Sequence, residues 1–399
     1  MAIRHISLFA VVIAAWVGAS SVSAAQGPPD PTVSHKQWDD IVALTKADQD
    51  TFAGVSVDGK TGVATVYLTE ATSQSARAVH GIQSMRAIAA SRKDGADVAW
   101  SVQFGVGHYS VRELTATMET ASRNQAWQSL AKPYLADWYI DARVNSVRIE
   151  LTRITPEVQS AATRLFGDRA VLGVGERMVR TNRQGQWDGP PWWGGDSVED
   201  SGSTTRCSAA FGVWYQGYAR MMTAGHCWLN GNIVYQPSPS TGSCMGSIFG
   251  DTYGGGSYDI AVIDLTYCNP GAQGYVYYSL GHNRPVGGMA HAYIGDQACF
   301  DGARTEENCS GYENADDECA VDDIGVTICH LARASSNTLT VLAQQGDSGG
   351  PVYEISGSKI YAQGMISGIL PSSGGITAYF SPMWRADQDY GYVPITCGC

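Results

Sequence analysis

Hydrophobic and polar residues alternate around a turn in "VSVDGKTGVATVYLT" (residues 55–69), the period of two by which a β-hairpin puts one face into a core. The pattern returns in "YIDARVNSVRIELT" (residues 139–152). There Asp141 and Thr152 stand as far apart as Asp58 and Thr69, and Ile149 and Leu151 answer Val66 and Leu68. A helix candidate and then an apolar strand candidate follow each copy, which predicts an internal duplication about 83 residues apart.

Helical periods surround these hairpins. Residues 30–50 read as a polar helical segment, and in "SVRELTATMETASR" Ser110 and Glu113 form a capping box with Val111, Leu114 and Met118 on the buried face. Thr155 caps a further helix with Pro156 in its first position. Val158, Ala162 and Leu165 line one face of it until Gly167, and "AVLGVGE" reads as the strand that follows. Residues from about 30 to 180 are therefore expected to be α+β. In "RTNRQGQWDGPPWWGGD" both periods break at Gly185, Gly189, Pro190 and Pro191, which marks a linker. Beyond it, short runs such as "DIAVIDL", "VTICHLA" and "IYAQGMISGIL" are punctuated by Gly, Ser, Pro and Asn, with no long helix until the end. Residues 192–399 are expected to be all-β, a barrel or sandwich.

Composition sharpens this division. A chain of 399 residues suits two or three domains. Its first residues run from Arg4 and His5 through an apolar stretch, Ile6 to Val17, to Val22-Ser23-Ala24, the layout of a cleaved signal peptide and too short for a membrane span. All ten cysteines lie at or after Cys207, as in a disulfide-stapled extracellular domain. Before Trp192 there are 19 of the 26 Lys and Arg and 18 of the 38 Asp and Glu, leaving 7 basic against 20 acidic residues in the β part. So acidic a surface excludes nucleic acid and anionic membranes as its partners.

The candidate chemistry is a serine in "QQGDSGGPVY" (residues 344–353). Gly, Asp, Ser and Pro also make ordinary turns, so Ser348 counts as a nucleophile only if a base and an orienting carboxylate accompany it. Of eight histidines, His226, His282, His291 and His330 fall in the β part, and His226, in "MMTAGHCWLN", follows an apolar strand end. Taken alone, a histidine there is more often structural than catalytic. Asp259, Asp251 and Asp264 are rival carboxylates, and Asp259 opens the apolar run Ile260 to Ile263.

"TAGHC" (223–227), "YDIAVIDL" (258–265) and "GDSGGP" (346–351) occur in the order His, Asp, Ser, and together they resemble the motifs of chymotrypsin-like serine proteases. The whole β part is similar to their secreted bacterial branch, the streptogrisin and α-lytic protease family. The resemblance is good over 192–399 and weak upstream. It implies an all-β, chymotrypsin-like double six-stranded antiparallel β-barrel preceded by an α+β propeptide. The chain then divides into a signal peptide (1–24), a propeptide (25–191, two α+β subdomains at about 50–120 and 135–180, then the linker) and a trypsin-like serine protease domain (192–399).

Site roles come by the same route. The resemblance implies Ser348 as nucleophile, His226 as general base, Asp259 as its orienter, and the backbone N–H groups of Gly346 and Ser348 as oxyanion hole. Ser367, Gly368 and Ile369 would bind substrate backbone as an added strand, with the Ser367 hydroxyl on the catalytic aspartate. Cys207–Cys227 and Cys299–Cys309 would be disulfides; Cys244–Cys268 and Cys319–Cys329 are proposed from proximity alone. No cofactor and no metal are implied. The acidic run "ENADDECAVDD" (313–323) reads as a solvated loop, with calcium binding as the rival reading. Partners would be protein or peptide substrates and the chain's own propeptide, on a secreted monomer. A serine esterase on the same fold and a non-catalytic binding module are the alternatives.

Three departures from the family pattern stand out. A cysteine pair common in bacterial relatives is replaced near Leu342 and Pro371. Ile369 stands where a pocket-opening glycine is usual, which predicts a small or medium aliphatic P1. Phe300 falls where an arginine would pair with Asp347, so Arg304 or a new N-terminus near Trp192 is expected to supply the cation.

Overall fold

The computed structural model describes residues 32–58, 61, 63–70, 98–178, 189–202, 206–236, 242–255, 257–268, 271–279, 282–338 and 340–398. The expected signal peptide lies outside them. Among the described residues no helix is long and apolar enough to cross a membrane.

The upstream part contains β1 (Thr32–Ser34), α1 (His35–Ala47), β2 (Phe52–Asp58), β3 (Val63–Thr69), β4 (Val98–Gly107), α2 (Val111–Arg123), α3 (Gln125–Ala131), β5 (Leu135–Asp141), β6 (Ser146–Leu151), α4 (Pro156–Phe166) and β7 (Ala170–Val174). Both copies of the repeated pattern form antiparallel hairpins, β2–β3 and β5–β6, and each hairpin receives a parallel third strand, β4 or β7. Local chemistry fixes the helix ends. Ser110 Oγ accepts from the Glu113 N–H while the Glu113 carboxylate accepts from the Ser110 N–H, and Thr155 Oγ1 accepts from the Val158 N–H with Pro156 opening the helix. Replacing Ser110 with Ala removes one partner of this reciprocal pair, at a cost of about 1 kcal/mol. Hydrogen exchange should then show the amides of α2 exchanging about fivefold faster, with those of α4 unchanged.

Val158 and Ala162 of α4 are buried as expected, and only the last position of the face differs. Leu165 is 38% exposed, and Phe166 is buried instead, edge-on to Trp127 at 5.1 Å. That pairing belongs to a core that joins Leu114 and Ala121 of α2 to Trp138, Val147 and Ile149 of the second hairpin.

The downstream part is β throughout, with one short helix near its end. β8 (Trp192–Gly194), β9 (Ser197–Asp200), β10 (Arg206–Ser208), β11 (Gly212–Tyr215), β12 (Tyr218–Thr223), β13 (Ile233–Gln236), β14 (Ser243–Phe249) and β15 (Ala261–Asp264) come first. Then follow β16 (Ala272–Ser279), β17 (His282–Met289), β18 (Gln297–Phe300), β19 (Asn308–Val321), β20 (Thr327–Ser336), β21 (Pro351–Ser356), β22 (Lys359–Ile369), β23 (Thr377–Pro382), α5 (Met383–Tyr390) and β24 (Val393–Pro394). β9 to β15, closed by β24, make one sheet in the order β10-β9-β13-β14-β15-β12-β11-β24, and β8 lies with β16 to β23 in a second. Alternating inward residues fill the two interiors: Val234, Met245 and Ile263 in one, Phe300, Val352 and Phe380 in the other. This is the expected chymotrypsin-like all-β architecture. Leu342, where the family cysteine is missing, is fully buried in the second interior.

The second sheet does not stop at its own strands. β5 pairs antiparallel with β19, setting Trp138 opposite Cys319 and Asp137 opposite Ala320, so β7, β6 and β5 extend the downstream sheet. The acidic run expected as a solvated loop is therefore the last part of β19, a strand covered by the upstream domain, with Glu313, Glu318 and Asp322 fully buried. The first upstream core also reaches the downstream part, packing against Tyr293, Ile294 and Tyr312, and Lys46 forms an ion pair with Asp316.

Candidate active site

β12 ends at Thr223, and the chain turns through Gly225–Cys227, which lifts His226 off the end of the strand. Cys227 is bonded to Cys207 in the middle of β10, so this corner is tied to the segment that carries Ser208. Asp259 precedes β15, which is paired with β12 through Thr223 and Ala261. Ser348 sits in the turn between β20 and β21.

Three side chains from these separate places converge. His226 Nδ1 lies 2.7 Å from Asp259 Oδ2, the His226 backbone N–H donates to Asp259 Oδ1 at 2.8 Å, and His226 Nε2 lies 2.9 Å from Ser348 Oγ. Asp259 and Ser348 are fully buried and the His226 side chain is 3% exposed. A carboxylate only accepts, so Nδ1 carries the imidazole proton, and the Nε2 lone pair faces the serine hydroxyl. The rival carboxylates are engaged elsewhere. Asp264 accepts from the Thr266 N–H and pairs with Arg220 at 3.1 Å; Asp251 accepts from the Tyr253 N–H, and burial pushes it up to about 6.

The serine turn depends on glycine. Gly346 has φ +113° and Gly349 φ +81°, both in the region that side chains avoid, and a Cβ on Gly349 would overlap the Ser208 carbonyl oxygen and Thr223 Oγ1. Ser208 is a contributor that sequence reasoning missed. Its N–H donates to the Ser348 carbonyl at 2.7 Å, its Oγ donates to the Gly346 carbonyl at 2.9 Å and accepts from the Ala303 N–H, and its carbonyl accepts from Thr223 Oγ1. The available signal was its position directly after Cys207.

Asp347 is held differently from expectation. Its carboxylate accepts from the N–H groups of Arg304, Thr305 and Gln344 and from Thr305 Oγ1, at 2.7–3.2 Å. The Arg304 guanidinium turns away to the Gln345 carbonyl, and the Trp192 N–H donates to the Gly271 carbonyl. The Arg304 guanidinium therefore does not reach Asp347, while in this uncut chain the residue-192 nitrogen is a backbone amide and not the expected new N-terminus. Burial raises the Asp347 pKa and these four neutral donors oppose the rise.

Ser367, Gly368 and Ile369 end β22. Gly368 and Ile369 pair with Tyr379 and Ala378 on one side, and among the described residues no strand pairs with them on the other. The Ser367 hydroxyl is not bonded to the Asp259 carboxylate as expected. It is bonded to Ser381 Oγ at 3.1 Å, and Ser381 donates to the Asp259 carbonyl at 3.4 Å. Ile369 packs partly against the second interior. All four disulfides suggested from the sequence, Cys207–Cys227, Cys244–Cys268, Cys299–Cys309 and Cys319–Cys329, join in the structure.

No protein-family model matches the chain. Streptogrisin-A of Streptomyces griseus is 27% identical over 261 residues, covering 64% of this chain and 76% of its own length. Serine protease 1 of Rarobacter faecitabidus is 27% identical over 249 residues, covering 62% of this chain and 42% of its own. Among solved structures, protease A of Thermobifida fusca covers 51% of this chain and 98% of its own at 27% identity, with a TM-score of 0.42. The chain is a serine protease. Its likeness to the curated bacterial enzymes places it with the chymotrypsin-like bacterial serine proteases.

Proposed function

We propose that the chain is the precursor of a secreted serine endopeptidase in which His226, Asp259 and Ser348 form the catalytic triad. Residues 1–24 are the export signal, 25–191 the propeptide, and 192–399 the protease domain. The observation that carries the reading is His226 standing between Asp259 and Ser348 at 2.7 and 2.9 Å, with both partners buried. Ser348 Oγ attacks the peptide carbonyl as its proton passes to His226 Nε2. Asp259 steadies the imidazolium. The N–H groups of Gly346 and Ser348 stabilise the oxyanion, where one donor is worth about 2.7–4 kcal/mol. Collapse breaks the C–N bond, the leaving amine takes the proton from Nε2, and water repeats the sequence on the acyl-enzyme.

Substrate backbone is added as a strand along the open side of residues 367–369, and Ile369 limits P1 to a small or medium aliphatic side chain. The propeptide assists folding and inhibits the enzyme until removed, and the support for this is its seat on β19 through β5. A fluorophosphonate should label the processed protein on Ser348 and leave a Ser348→Ala variant unlabelled. Equal labelling of both would remove the basis for the reading.

A further inference from the structure

Between β7 and the linker, three successive residues of the propeptide point in alternate directions. The Glu176 carboxylate accepts from the Ser372 N–H at 2.9 Å, while the Arg177 guanidinium turns back to the carbonyls of Lys132, Pro133 and Leu135 within the propeptide. Met178 then crosses into the protease domain. Its N–H donates to the Val321 carbonyl at 3.1 Å, and its side chain, 1% exposed, fills a cavity walled by Ala320, Ile328, Leu331 and Tyr379. Every wall residue belongs to the protease domain, and its only described occupant belongs to the segment that maturation removes.

The rim of the cavity leads to the active site from two directions. Tyr253, on one side, has its ring 6.0 Å from the His226 ring and hydrogen-bonds Asp322. Leu370, on the other, directly follows the open strand end at residues 367–369. A peptide lying along that strand end and continuing away from the scissile bond runs toward the cavity.

We propose that the cavity filled by Met178 is a distal subsite of the mature enzyme, on the acyl side of the scissile bond, which takes one long, flexible apolar side chain of the substrate. The inference rests on the endopeptidase reading above. The side chains of Ala320, Ile328 and Leu331 and the ring of Tyr379 make the preference steep: a polar side chain placed against them loses its water without gaining a partner. Binding at such a remote position accelerates the reaction only by helping to hold the scissile bond in place, so its effect falls on kcat/KM of long substrates and is absent from short ones.

Internally quenched peptides with one fixed scissile core, carrying a single Met walked residue by residue through the upstream positions, test this on the processed enzyme. One position should show kcat/KM about tenfold or more higher for Met than for Ser. In an Ala320→Leu variant, which fills the cavity, that Met-to-Ser ratio should fall toward one; because the ratio is taken within each variant, partial misfolding does not imitate the result. A flat profile from an enzyme that cleaves the short core overturns the subsite alone, as does a ratio unchanged by Ala320→Leu. Failure to cleave even the short core overturns the endopeptidase reading and the subsite with it.

Discussion

Asp259→Asn should lower kcat about 10⁴-fold while leaving KM and the fold nearly unchanged. The reason lies in the two hydrogen bonds that Asp259 accepts, from the His226 backbone N–H and from Nδ1. An amide offers one acceptor and one donor. With its oxygen kept on the backbone N–H, its NH₂ faces Nδ1 and forces that nitrogen to accept. The ring proton then moves to Nε2 and points at Ser348 Oγ, where a lone pair is required. The base is present, correctly placed and in the wrong tautomer. Steady-state kinetics on a peptide anilide measure the loss, and Ser348→Ala, which removes the nucleophile, should cost about 10⁶-fold in kcat. A fall of only a few-fold in Asp259→Asn would show that another group orients His226.

How much of this site the sequence revealed depended on distance along the chain. His226, Asp259 and Ser348 were legible because each lies in a run whose local pattern is distinctive, and their order completed the match. Capping at Ser110 and Thr155 was legible because both partners lie within three residues. Ser208 was not, since the groups it bonds, at Gly346 and Ala303, come from 138 and 95 residues away. The acidic run was misread for the same reason. Nothing near residue 318 announces that a strand from residue 135 onward will cover it, or that Arg333 will be brought within 3.7 Å of Glu318 by the β19–β20 hairpin. Leu165 and Phe166 were exchanged because the face of α4 is decided by Trp127, which belongs to another helix.

That covered cluster carries the second large effect: the complex of the propeptide with the mature enzyme should weaken about tenfold for each unit by which pH rises across a window of about pH 5 to 8. Asp137 of the upstream part accepts from Tyr379 Oη at 2.9 Å and lies 3.3 Å from Arg333, while Glu318 of the downstream part lies 3.7 Å from the same guanidinium. Two buried carboxylates thus share one buried cation. Burial raises both, Glu318 to about 8, against the opposing pull of Arg333. Separation uncovers Glu318 and lowers its pKa toward the ordinary carboxylate range. Its pKa is therefore higher in the complex than in the free enzyme, so docking takes up a proton: the stabilisation is complete below the free value, falls as pH rises, and is exhausted once pH passes the docked value. Asp137→Asn leaves one carboxylate with one guanidinium and should flatten the slope, whereas Arg333→Met strands two buried carboxylates and should weaken docking more than about 100-fold at pH 8. Fluorescence anisotropy of a labelled propeptide with the Ser348→Ala protease domain reads the dissociation constant without interference from the pH dependence of catalysis. A constant that does not change between pH 5 and 8 would mean that the Asp137–Arg333–Glu318 cluster holds no proton that separation releases.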